Sequence, residues 1–241
     1  MSYTPWLRQL TNDIHLSYVA GYYNINKRHA VGGALRYFNL GEITYTSAQG
    51  DVLREDKPNE FEITGGYAFK LSDRTSVGLN GKFAYSNLTG GSVIQGVQSK
   101  PGIVGAADLS FTYFNPDARL GRTKGDFVFA STINNIGNKV AYSELATRDF
   151  IPMNLKIASS FNAKFDSYNR VTFALELQKL LVPTPPFVDV IGGEYTIVSG
   201  TNSDDVGVIA GMLRSFYDAP GAPATDENGD YIQNADRKSV V

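Results

Sequence analysis

The stretch NEFEITGGYAFK, residues 59–70, alternates without a break. Phe61, Ile63, Tyr67 and Phe69 fall on one parity, and Glu62, Thr64 and Lys70 on the other. Successive side chains of a β-strand point to opposite faces, so this period predicts a strand with an apolar and a charged side. The pattern recurs along the chain. Its apolar sets are Ile14, Leu16, Tyr18, Ala20 and Tyr22, then Val31, Leu35, Tyr37, Ile43 and Tyr45. Val77, Leu79, Phe83 and Tyr85 follow residues 59–70, and after them Ala107, Leu109, Phe111 and Tyr113. Phe127, Phe129 and Ile133 come next, then Leu155, Ile157, Phe161 and Phe165, and finally Val171, Phe173, Leu175 and Leu177. Eight whole strands are predicted, preceded by a partial one at the start.

None of these sets contains Asp, Glu, Lys or Arg. The opposite parity carries Arg36, Glu42, Glu62, Lys70, Lys82, Asp108, Lys156, Lys164 and Glu176. A helical period competes only near residues 204–217, so the chain reads as all-β. The links alternate in length. NINKRH (24–29), SDRT (72–75) and DSYN (166–169) are short and rich in turn formers. Residues 47–59, 87–102 and 137–152 are longer links, and NPDARLGRTKG (115–125) is a somewhat long link where a short one is due. Up-and-down topology would put tight turns at one end and extended loops at the other.

A soluble β-sandwich also has uncharged inner faces. Three features favour a transmembrane barrel. The strands run roughly 10 to 17 residues, against about 5 to 6 in globular sheets and about 9 to 11 in membrane barrels. Short turns at one end and long loops at the other match outer-membrane barrels. Tyr45, Phe61, Tyr85, Tyr113, Phe127 and Phe165 lie near strand ends, where barrels carry aromatic girdles. In hydrocarbon every backbone polar group needs a partner, which a sheet supplies only by closing. The expected fold is an antiparallel up-and-down transmembrane β-barrel.

Composition excludes other classes. The 241 residues carry a net charge of −2 with no basic stripe, so nucleic acid is not an expected partner. Cys is absent, which removes disulfides and Cys-ligated metals. No run approaches the roughly 20 apolar residues of a transmembrane helix. The start, MSYTPWLRQL, does not read as a signal peptide, and the tail NADRKSVV stops in polar sequence. The expectation is a single domain over 1–241, an incomplete barrel fragment with a long loop segment at 183–241.

SYTPWLRQLTNDIHLSY (2–18), VGGALRYFNLGEI (31–43), INNIGNKVAYS (133–143), FIPMNLKIASSF (150–161) and VIAGMLRSFYDAP (208–220) follow in one order along nearly the whole chain. Together they resemble the PorV/PorQ family, FadL-like outer-membrane barrels of the type IX secretion system in Bacteroidota. The Pro-Trp-Leu of 5–7 and the Ser-Phe-x-Asp-Ala-Pro of 215–220 carry most of the likeness. The resemblance implies a bacterial outer-membrane protein surrounded by lipid. It implies three further partners: secreted cargo bearing a C-terminal signal domain, the translocon barrel SprA, and the surface attachment (sortase) complex. Cargo would be bound and handed over without bond chemistry.

No cofactor, metal site or catalytic group is expected. His15 and His29 read as lumen and turn residues, with no second ligand at metal spacing. Glu62 and Glu176 suit a water-filled interior. Asp226, Asn228 and Asp230 alternate as in a calcium loop but lack its terminal Glu, so a polar turn is expected. Asn87-Leu88-Thr89 fits a glycosylation sequon, which has no meaning in a bacterium. The candidate partner contacts are Trp6 and Leu7 in the first link, and a short helix over 205–217 with Val208, Met212, Leu213, Phe216 and Tyr217. That helix either packs over the barrel mouth, or docks a partner, or does both. Two rival functions are a FadL-like channel for hydrophobic small molecules and a soluble β-sandwich binding module.

Overall fold

A computed structural model describes residues 1–9, 13–88, 93–94, 97–143, 148–191, 194–200, 202 and 206–218. One nine-stranded antiparallel sheet dominates it. Its strands are β1 (Ser2–Pro5), β2 (Ile14–Asn24), β3 (His29–Leu40), β6 (Asn59–Lys70), β7 (Thr75–Asn87), β10 (Gly102–Leu120), β11 (Thr123–Gly137), β12 (Asn154–Lys164) and β13 (Arg170–Leu180). They pair in chain order, and β1 and β13 are the free edges. The eight whole strands and the partial first one are thus present, in a sheet that does not close on itself among the described residues. Three hairpins stand apart: β4 (Ile43–Thr46) with β5 (Val52–Asp56), β8 (Val93–Ile94) with β9 (Val97–Gln98), and β14 (Phe187–Ile191) with β15 (Glu194–Ser199). Among the described residues a single helix, α1 (Val208–Arg214), follows.

Directly opposed residues share a face, so the registers carry one polarity across the whole sheet. Leu35 opposes Ile63, which opposes Phe83. Leu79 opposes Leu109, which opposes Ile133, and Phe127 opposes Phe161, which opposes Phe173. Rings meet along this face, with Phe61 stacked on Tyr85 at 5.3 Å between centroids and Phe111 edge-on to Phe129 at 6.4 Å. Of the Asp, Glu, Lys and Arg residues paired in the sheet only Lys179, at the rim, falls on it. No second sheet covers it among the described residues. Leu175 remains 62% exposed and Ile63 52%. The stacked sheets of a β-sandwich are therefore not this architecture.

The register overturns one facing. Tyr18 opposes Arg36 and Tyr22 opposes Gly32, whereas Val19 opposes Leu35 and Tyr23 opposes Val31. The set Ile14, Leu16, Tyr18, Ala20 and Tyr22 thus lies on the polar face. β2 has apolar residues on both parities and no charge between Ile14 and Asn24 to break the tie, so its neighbour decides. Two other readings also change. Ile43 and Tyr45 do not continue β3, because Gly41 turns the chain at φ +86° and they enter the β4–β5 hairpin. Residues 115–125 form no open link. β10 and β11 run on to a two-residue turn, with Leu120 opposite Thr123 and a bulge at Pro116–Asp117.

The short turns follow from their chemistry. Asn26 Oδ1 accepts the amides of Arg28 and His29, and Ser72 Oγ accepts those of Arg74 and Thr75. Asp166 Oδ1 accepts those of Tyr168 and Asn169, both at 2.7 Å. In each, a short polar side chain holds the amides two and three residues on. The links at the opposite end are long, so the two ends differ as expected.

The Asn169 side-chain amide, followed by these two backbone amides, holds the Asp166 carboxyl below its ordinary value. A depressed carboxylate stabilises the turn fully above the unfolded pKa, and that contribution is lost as pH falls through the lower folded value. The amide shifts of Tyr168 and Asn169 are expected to stay constant at neutral pH and move together only below the free aspartate range. An NMR titration checks this, and Asp166→Ala removes the transition.

Candidate functional site

The long-loop end bears the most densely packed part of the described molecule. Ile151, Met153 and Leu181 form a buried cluster, joined by Val104, Ala106, Ile133, Val140, Phe150, Leu155 and Val182. Met153 is fully enclosed. Helix α1 seats on this cluster through Val208 and Met212. Gly211 faces the Phe150 ring and Pro183, where a Cβ would stand 2.8–2.9 Å from ring carbons of both, so only glycine allows this approach. Asp218 fastens the far end by accepting the Thr184 amide at 3.0 Å and the Thr184 hydroxyl at 3.1 Å. Lys139 lies over the Phe150 ring at 4.3 Å, and Lys179 over the Phe216 ring at 5.1 Å.

The candidate contact residues therefore divide. Val208 and Met212 pack down onto the cluster. Leu213, Phe216 and Tyr217 point outward and are more than half exposed. Trp6 and Leu7 are also exposed, and Trp6 meets the Phe38 ring edge-on at 6.3 Å. They sit by β1, at the opposite edge of the sheet from α1 and at the same end of the strands. The structure does not merge the two groups into one patch.

Three ion pairs lie on the polar face among the described residues. Lys156 meets Glu176 at 3.3 Å and Lys164 meets Asp126. The most enclosed pair is Lys82 with Asp108, 2.8 Å apart, their side chains 18% and 7% exposed. Asn80 Nδ2 also donates to Asp108 at 3.2 Å. Sequence reading placed both charges on this face but did not pair them. The overlooked signal lay in Ile133-Asn-Asn-Ile136, where an odd apolar spacing marks a bulge. Ala107 opposes Ile136 while Leu109 opposes Ile133, so two asparagines stand opposite Asp108.

Nearer the short turns, the same face has a hollow of about 430 Å³ between Tyr18, Tyr22, Thr64 and Asn80, floored by Gly32 and Gly66. Glu62 and Glu176 also occupy the polar face, on strands with four others between them, and form no acid pair. His29 stands by its tight turn, its Nδ1 2.5 Å from Tyr67 Oη. His15 is no lumen residue. It lies on the apolar face at a strand end, 5.1 Å from the Tyr3 ring and 6.2 Å from that of Tyr37. Asp226, Asn228, Asp230 and Thr89 lie outside the described residues, as do Asp205 at the expected helix start and Ala219-Pro220 of the last motif.

Two consequences are measurable. Asp108→Ala strands Lys82 in a nearly closed site and is expected to cost about 3 kcal/mol, read from chemical unfolding midpoints in detergent. Gly211→Val drives a branched side chain into Phe150 and Pro183. It is expected to cost about 1–3 kcal/mol and to speed proteolysis within 181–217 while the sheet stays protected.

No curated protein matches the chain. A family model described as "Type IX secretion system protein PorV" matches residues 1–187, from β1 to the first residue of β14.

Proposed function

This chain belongs to the PorV family of type IX secretion system proteins, and from that premise we propose that it works in the outer membrane as part of a cargo-handling barrel. In this reading the apolar face meets lipid and the polar face lines an aqueous interior. One observation carries it. The face made of Leu35, Ile63, Leu79, Leu109, Leu175 and their neighbours is uncharged up to the Lys179 rim and lies open. Water would penalise so large an apolar surface, whereas acyl chains match it. Lys179 reaches the long-loop margin, where a long cationic side chain extends to the interface.

Cargo engagement falls to the long-loop end. Leu213 on a short helix fixed from below, and Phe216 and Tyr217 in the turn that follows it, are held outward, an arrangement suited to an apolar partner surface. Trp6 and Leu7 supply a second exposed pair at that end. The partners in this reading are the C-terminal signal domain of secreted cargo, the translocon barrel SprA and the attachment machinery. Binding and handover need no reacting group. A channel for hydrophobic small molecules is the weaker alternative, because Arg36, Glu62, Lys82 and Asp108 share the polar face.

Two experiments test this. Ile63→Arg and Leu175→Arg, at mid-strand on the apolar face, are expected to cost about 2–4 kcal/mol of insertion and to deplete the membrane fraction, while Thr64→Arg on the other face is tolerated. Pull-down from membranes is expected to recover SprA and proteins bearing a C-terminal signal domain. Leu213→Asp with Phe216→Asp should weaken cargo recovery on the order of tenfold, the scale of losing about 1.4 kcal/mol. Recovery of neither partner by the unaltered protein would defeat the reading.

A further inference from the structure

The bulge that faces Asp108 does more than bend a strand. Asn135 adopts φ +61°, a left-handed backbone that asparagine tolerates better than most residues. Its amide leaves the ladder and donates to Asp108 Oδ1 at 2.9 Å. Asn135 Oδ1 accepts from Lys82 Nζ at 3.0 Å, and Asn135 Nδ2 donates to the Pro152 carbonyl at 3.1 Å. The amide orientation is dictated by its partners, since an ammonium can only donate and a carbonyl can only accept.

Pro152 lies between Ile151 and Met153, two of the three residues at the centre of the cluster under α1. One side chain therefore joins the enclosed ion pair of the sheet to the seat of the helix. A second, longer bond reaches the same carbonyl from Asn154 Nδ2 at 3.3 Å, and Asn154 is itself held by Asn134 Nδ2 at 3.1 Å. Two further ties hold the cap: the amides of Val140 and Asp149 each donate to the other's carbonyl at 2.8 Å, and Asp218 accepts from Thr184. The Met153 amide donates to Ile151 and the Leu181 amide to Met153, and α1 adds its own turns from Gly211 to Gly207 and from Ser215 to Gly211.

We propose that Asn135 is the latch of a movable cap: its bond to Pro152 holds residues 148–153 and α1 down at the long-loop end, and releasing it lets both lift while the strands stay paired. The bulge and the Lys82–Asp108 pair aim the latch, and the helix reports its state. This inference does not rest on the identity of any partner, and it goes beyond the docking role given to the outer face of α1.

Hydrogen exchange of the full chain in lipid nanodiscs tests it. Asn135→Gly keeps the left-handed backbone and removes both side-chain bonds. It is expected to speed exchange at Met153, Leu181, Gly211 and Ser215 by roughly five- to tenfold, the scale of one lost hydrogen bond. Amides of β6 and β7 should keep their rates. Asn135→Asp, which retains an acceptor for Lys82 and loses the donor toward Pro152, should act in the same direction and decides the matter if the glycine variant does not fold. A spin label at Leu213→Cys, in a chain otherwise free of cysteine, should gain mobility in either variant. Unchanged cap amides, or an equal rise across β6 and β7, would overturn the proposal.

Discussion

Backbone pairing between neighbouring strands is the constraint from which the remaining structure follows. Outside the two bulges of the β10–β11 pair, each register sets like parity against like parity, so the polarity of one strand is imposed on the next from β2 to β13. A one-residue slip anywhere would turn a whole strand's apolar set to the charged side. The stacked Phe61 and Tyr85, and the Leu79, Leu109 and Ile133 row, are consequences of that pairing. So is the placing of Lys82 beside Asp108 from two neighbouring strands.

Where pairing is interrupted, the chain acquires its special features. The Pro116–Asp117 bulge lets β10 and β11 continue to their tight turn. The Asn134–Asn135 bulge frees an amide that Asp108 takes up, and it swings an asparagine toward the loop above. Gly41 ends β3 and starts a hairpin whose base is tied by Lys57 to Glu42 at 3.1 Å. That end also bears the cap, where packing takes over from strand pairing: Met153 and Leu181 are enclosed by side chains drawn from strands, loops and helix.

Sequence reading succeeded where one parity held charge and the other did not. Glu62 and Lys70 settle the facing of β6, and Lys156, Lys164 and Glu176 settle those of β12 and β13. It failed on β2, where Tyr18 and Val19, or Tyr22 and Tyr23, give a period of two with no sign. His15 was misplaced with its strand. Residues 115–125 looked like a loop because Pro116, Asp117, Gly121 and Gly125 are turn formers, yet a bulge absorbs the proline within a continuing strand. At the helix, Val208, Met212 and Phe216 recur every four residues, a spacing that by itself puts them on one face. The first two pack inward, while Phe216, beyond the end of α1, turns out over Lys179.

By itself the sequence determined that this is an all-β chain with one uncharged side, tight turns at one end and long links at the other. Those properties are local, since side-chain alternation and the capping of a turn by Asn26, Ser72 or Asp166 need only a few consecutive residues. Only the tertiary structure decided which way β2 faces, that Asp108 meets Lys82 and Asn135, and that α1 sits on Phe150 and Pro183. Each of these joins residues distant along the chain. Such contacts depend on register and on the shape of a neighbouring surface, neither of which a period of two can encode.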